Sequence, residues 1–236
     1  MQTFLIESFI STNYGYGNPF GRFWFIGMEE GGSNTKEEAI RRFEVWQQLG
    51  ESETSDLVEY HKQLGLMQFF REPVKLQLTW GFLIRIILSS KGISIDNKAV
   101  KNYQRDHLGR KEDETCLLEL LPLSSPSLGV WHYSEWKGIP YLNSRKEYRK
   151  IVLPRRIDGL KNMIKRYNPP VVVFYGTTYR SSFEQIVGSP FLKNSEGLEW
   201  FTDSKTQYFM IKHPAARGSA KTAYFEYVGQ KIANFL

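Results

Sequence analysis

Two adjacent acids, Glu29 and Glu30, follow the apolar run Phe23-Trp24-Phe25-Ile26-Gly27-Met28 and are followed in turn by Gly31 and Gly32. A third acid, Glu119, interrupts the apolar run CLLELL, and His213 follows the run QYFMIK, just ahead of Pro214. A carboxylate can position water and a histidine can donate to a developing anion, so these groups have the parts of a hydrolytic site. Each also has an ordinary reading: the Glu29-Glu30 pair as a solvated loop or helix cap, His213 as a structural histidine. Glu119 is the hardest to treat as incidental, because burying a carboxylate without a partner is costly.

These residues share one position in their elements. Four apolar runs have the length and flanks of strands: FWFIG (23 to 27), CLLELL (116 to 121), VVVFYG (171 to 176) and QYFMIK (207 to 212). They do not alternate polar with apolar, which suits strands buried on both faces of a parallel sheet. Between the first two, Thr35-Lys36-Glu37-Glu38 fits a capping box, and Ile40, Phe43, Trp46 and Leu49 recur at helical spacing. Further helical stripes run through Leu57 to Phe70 and through Leu76, Trp80, Leu83 and Ile87, and read as core. Pro154 reads as the first residue of a helix that buries Ile157, Leu160, Ile164 and Tyr167. Helices are also expected over Thr177 to Val187 and Ala220 to Phe235. The order predicts one domain over residues 1–236, a three-layer α/β/α sandwich around a central, mostly parallel four-stranded sheet. In such a sheet the carboxyl ends of the strands open on one crevice, which would gather Glu29, Glu119 and His213 on one rim.

Composition narrows the class. The 236 residues are 41% hydrophobic and 15% aromatic, an ordinary balance for a chain with a proper core. No window approaches the length of a membrane span, and MQTFLIESFI lacks the basic start and cleavage site of a secretory signal, so a cytoplasmic protein is expected. The single cysteine, Cys116, sits in an apolar run and reads as a buried small residue. Of the net charge of +6, a local excess of +7 lies between Arg145 and Arg166, where Arg145, Lys146, Arg149, Lys150, Arg155, Arg156, Lys161, Lys165 and Arg166 face only Glu147 and Asp158. That concentration is the footprint expected for a phosphate backbone, and equally of a solvated helix.

The arrangement resembles the uracil-DNA glycosylase superfamily. The matching pieces are Gly27-Met28-Glu29-Glu30-Gly31 after the first strand, the strand-and-loop LLELLPLSSP, VVVFYG, and His213-Pro214-Ala215 after the last strand. The resemblance follows the order of elements along nearly the whole chain, on short motifs. It implies that Glu29 positions water, that His213 stabilises charge on a departing base, and that Glu119 stands where the family's base-reading asparagine would be. It also places the segment from Ala215 to Lys221 on a loop that probes the duplex, with Arg217 and Lys221 on phosphates. Three residues depart from the family pattern: Glu30 replaces a proline, Ala215 a serine and Glu119 an asparagine. An ionised carboxylate only accepts hydrogen bonds, so Glu119 would suit an amino-bearing base edge.

The expected function is therefore hydrolysis of the N-glycosidic bond of a flipped, damaged or deaminated base by a DNA-binding monomer with neither cofactor nor metal. Gly27, Met28, Glu30, Glu119 and Phe43 would line the base site, Trp131 and Tyr133 are further stacking candidates, and Arg155, Arg156 and Lys161 would hold phosphates. One alternative is a non-catalytic nucleic-acid or nucleotide-binding relative. Another is a metal-dependent nuclease built on Asp113 with Glu135-Trp136-Lys137.

Overall fold

The computed structural model describes residues 2–127, 129–215 and 222–235. Each of the four expected strands is present, as β2 (Phe23–Glu29), β4 (Thr115–Leu121), β5 (Val171–Tyr175) and β8 (Gln207–Ile211). They lie side by side and parallel, in the order β4-β2-β5-β8. The sheet is larger than four strands and mixed. Strands β1 (Gly15–Gly17) and β3 (Thr54–Ser55) extend it beyond β4, with β1 antiparallel to β4. Strands β7 (Glu199–Thr202) and β6 (Leu192–Lys193) extend it beyond β8 as an antiparallel hairpin. All four additions are only two to four residues long, so no apolar run announces them in the sequence.

Alternate residues of the central strands enter two separate cores, as the pleat requires. Phe23, Phe25, Leu117, Val171, Val173 and Phe209 pack with α1 (Gln2–Thr12), α2 (Lys36–Gln48), α4 (Leu78–Ser90), α5 (Asn97–Asp106) and α8 (Thr222–Ala233). Trp24, Ile26, Cys116, Leu118, Val172 and Phe174 pack with α6 (Arg145–Tyr167) and α7 (Arg180–Val187). Cys116 is fully buried. No described helix is long and apolar enough to cross a membrane.

Three helix boundaries follow from local chemistry. Thr35 caps α2 by accepting from the Glu38 N–H, while the Glu38 carboxylate reaches the Asn34 N–H one residue beyond the cap. The α6 helix starts at Arg145 rather than at Pro154, because the Ser144 hydroxyl accepts from the Glu147 N–H and sets the first turn there. Pro154 is an exposed residue inside that helix. The Leu57 to Phe70 stripe divides into α3 (Leu57–Gln63) and a 3-10 turn at Met67–Phe69.

Strand order fixes where a ligand can sit. From β2 the chain adds β4 on one side and then β5 on the other, so the winding reverses between β2 and β5. The crevice outside the carboxyl ends of parallel strands at such a reversal is the general ligand position of open α/β sheets.

Candidate functional site

A cleft of about 780 Å³ opens at that reversal. Met28, Glu29, Glu30, Glu119, His213 and Ala215 all line it, although they come from the ends of three strands and the loops that follow. Gly27 lies beneath, buried and opposite Glu119 in the β2–β4 register. The β2 and β4 loops are stitched together: the Ser125 N–H donates to the Glu30 carbonyl, the Ser33 and Ser124 hydroxyls share a hydrogen bond, and His132 contacts the Ser33 carbonyl. Such cross-links hold the rim in place.

The floor is a hydrogen bond spanning a strand. Tyr175 at the end of β5 donates from Oη to Glu119 Oε1 at 2.9 Å, across β2, which lies between them. Gly27 is what allows this. A Cβ placed there would stand 2.3 Å from Tyr175 Oη and 2.5 Å from Glu119 Oε2, well inside van der Waals contact. Glu119 Oε2 is buried with no hydrogen-bond partner among the described residues. Burial, reinforced by the nearby Glu30 and Glu29 carboxylates, pushes the Glu119 carboxyl up to about 8, against the opposing Tyr175 hydrogen bond and the Arg156 charge. At neutral pH the group is therefore mostly a neutral acid, which has a proton to donate. The acceptor-only behaviour expected from the sequence assumed an ionised group, and the low-dielectric floor removes that assumption.

The paired acids have separate partners. Arg145 at the start of α6 donates from Nη1 to both oxygens of Glu29, at 2.8 and 2.7 Å, and its Nη2 ties the Ser125 hydroxyl and the Ser127 and Val130 carbonyls. The Glu29 side chain is only 5% exposed. Burial raises its carboxyl while the Arg145 bond and charge oppose the rise. A carboxylate has about four lone-pair sites, so the Arg145 bonds leave room for a water. Glu30 accepts from Tyr16 Oη at 2.9 Å and Arg42 Nη1 at 3.0 Å, which anchors the loop to β1 and α2.

His213 is in its donor form toward the cleft. Its Nδ1 accepts from the Ala215 N–H at 3.1 Å, which leaves Nε2 to carry the proton of the neutral ring. Burial lowers its pKa and so favours that neutral ring. The ring centroid lies 5.5 Å from that of Tyr175.

Several expected site residues are elsewhere. Phe43 is core, 4.8 Å from Phe9 between ring centroids and 2% exposed. Tyr133 is fully buried with its hydroxyl donating to the Ser124 carbonyl, and Trp131 packs beneath the Arg145 guanidinium. Arg156 faces inward rather than toward phosphates. It is 1% exposed, stacks on Tyr14 at 3.6 Å and donates to the Glu119 and Leu120 carbonyls at 2.9 and 3.2 Å. Burial pulls its pKa down to about 10. Arg155 and Lys161 are exposed on α6, outside the cleft. Arg217 and Lys221 lie outside the described residues. Among the described residues, no group of three or more His, Cys, Asp or Glu side chains could hold a metal ion. Of the nuclease candidates, Asp113 pairs with His107 and Glu135 with Lys36.

The aromatic wall comes from residues whose helical spacing reads as core. Trp80 and Phe69 are half-buried and line the cleft, 5.6 Å apart and edge to face, beside Gln68 and Gln77. His61 joins them, with Nδ1 donating to the Leu57 carbonyl and Nε2 left as an acceptor. Tyr175, Arg145 and Arg42 are the other functional side chains that sequence reading missed. The first reads as part of the apolar run VVVFYG, Arg145 as a member of the basic segment ahead of the helix expected from Pro154, and Arg42 as a residue between the apolar positions of the helix after Thr35.

No protein-family model matches the chain, and no curated protein matches its sequence.

Proposed function

We propose that the cleft binds a nucleobase flipped out of a nucleic acid and that the protein hydrolyses its N-glycosidic bond, as a divergent member of the uracil-DNA glycosylase superfamily with that family's three-layer α/β/α sandwich. The observation that carries this reading is the convergence of Glu29, Glu119 and His213, from three separate strands, on one cleft with an aromatic wall. The transition state of such a reaction has cationic sugar character and an anionic leaving base. Glu29 is the group to stabilise the sugar and hold the attacking water, and its Arg145 partner opposes the rise that burial imposes on the carboxyl. His213, neutral and donating from Nε2, hydrogen-bonds the departing base without first having to lose a proton. Trp80 and Phe69 offer ring faces and edges for the base. Phosphates fit the exposed cations of α6, where Lys146, Arg149 and Lys150 line a second depression beside the committed Arg145.

A second reading is a base-binding protein without catalysis. It is favoured by one observation: both Glu29 oxygens already accept from Arg145. The experiment that separates the two is incubation with single- and double-stranded oligonucleotides carrying uracil, hypoxanthine or xanthine, followed by cleavage at abasic sites. Product that disappears in Glu29→Ala and His213→Ala supports hydrolysis. Salt-sensitive binding with no product from the wild type supports the non-catalytic reading.

A further inference from the structure

The cleft contains one polar atom whose burial nothing in the described structure compensates. Glu119 Oε2 is shielded from solvent and has no partner among the described residues, while Oε1 of the same carboxyl is held by Tyr175. Such orphaned polar atoms are rare in folded proteins and call for a ligand or a proton. Around it stand two further carboxylates, Glu29 and Glu30 from the end of β2, the Tyr175 hydroxyl from β5, and Arg156 from α6, whose Nη2 bonds the Glu119 carbonyl rather than its carboxyl. His213, after β8, packs on the same tyrosine ring. Among the described residues no cation bonds the Glu119 carboxyl: Arg156 is on the Glu119 carbonyl, Arg145 is committed to Glu29 and Arg42 to Glu30.

We propose that Glu119, oriented by Tyr175, reads the bound heterocycle as a neutral carboxylic acid, donating one hydrogen bond from Oε2 to a ring carbonyl of the ligand. The inference rests on the base-binding reading of the cleft and specifies its ligand class, a base with a carbonyl acceptor on the edge that reaches the floor. It reverses the amino-edge preference that an ionised glutamate would impose. Donation by Tyr175 to Oε1 leaves Oε2 as the oxygen that carries the proton, and Gly27, beneath them, lets both side chains lie across β2. Tyr175 is a positioning residue in this scheme and need not touch the ligand.

The consequence is a coupling between affinity and pH. Carbonyl-edge binding needs the protonated form, so it is full below the Glu119 titration and falls as pH rises through about 8. Above that point each further pH unit lowers affinity about tenfold, up to the limit set by the one lost hydrogen bond.

The test is equilibrium binding of free uracil to the full chain, followed by NMR across that pH range, in the wild type, Glu119→Gln, Glu119→Ala and Tyr175→Phe. The expected result is wild-type binding that weakens with rising pH. Glu119→Gln should bind with little pH dependence, because its amide nitrogen supplies a donor at every pH. Glu119→Ala should bind about tenfold more weakly at low pH, the worth of one such bond. Tyr175→Phe should move the midpoint upward, since the tyrosine hydrogen bond favours the ionised carboxyl. A purely structural role would not move the midpoint. Uracil binding that is independent of pH in the wild type, or weakened in Glu119→Gln as much as in Glu119→Ala, overturns the proposal, as does no binding at all. The two levels fail separately: base release from oligonucleotides without this pH-coupled binding removes the edge reading alone, whereas pH-coupled binding without base release removes hydrolysis alone.

Discussion

Gly27→Ala is the sharpest perturbation of the site that leaves every titratable group in place. The added methyl would lie 2.3 Å from Tyr175 Oη, 2.4 Å from Tyr175 Cζ and 2.5 Å from Glu119 Oε2, so it overlaps each by about 1 Å relative to ordinary contact. Neither β2 nor Tyr175 can easily retreat, because Gly27 is in a central strand and Tyr175 is 6% exposed. The tyrosine and the carboxyl must therefore separate. Overpacking of this kind costs about 1–3 kcal/mol. For a chain of this size that lowers Tm by about 2–4 °C per kcal/mol. Thermal and urea denaturation of the wild type, Gly27→Ala, Tyr175→Ala and the double variant check it. The double variant should be more stable than the sum of the single losses predicts, because removing the ring makes room for the methyl. Uracil binding should nonetheless be about tenfold weaker than wild type in the double variant, since the methyl still crowds Oε2. Strict additivity, or a Gly27→Ala protein as stable as the wild type, would refute the stated role of the glycine.

Three further outcomes follow. Glu119→Gln should be more stable than the wild type above about pH 8 and lose that advantage toward about pH 4: a folded-state carboxyl raised to about 8 keeps its proton below that value, so the wild type alone loses stability as pH rises between its unfolded and folded titrations, which urea unfolding at several pH values measures. Arg145→Ala leaves the buried Glu29 unpaired and should cost about 3–5 kcal/mol, with Glu29 protonated at higher pH than before; carbon-detected NMR of the glutamate carboxyls reads the shift, and the double change with Glu29→Gln should recover part of the loss. Arg156→Met should destabilise by about 2–4 kcal/mol, because the Glu119 and Leu120 carbonyls lose their donor, whereas Arg155→Glu with Lys161→Glu should leave the fold intact and reduce the salt slope of oligonucleotide binding in a fluorescence titration.

The division between what was legible and what was not follows from the range of the interactions. Apolar runs and caps are local, and they alone determined the four parallel strands, the Thr35 cap and the gathering of Glu29, Glu119 and His213 at one edge, because parallel strands share a carboxyl end. Burial and partner choice are not local. Whether Arg156 faces phosphate or a buried carbonyl, and whether Phe43 or Trp80 supplies an aromatic wall, depends on the rotation of each helix against the sheet, and the hydrophobic period does not distinguish the core from the lip of a cleft. The added strands were invisible for a simpler reason, being two to four residues long and too short to form an apolar run of their own. Glu119 marks the boundary most clearly. The sequence placed a carboxyl beside the cleft, but only the tertiary structure, by setting Tyr175 on one oxygen, two carboxylates nearby and, among the described residues, no cation on the carboxyl itself, raised its titration to about 8.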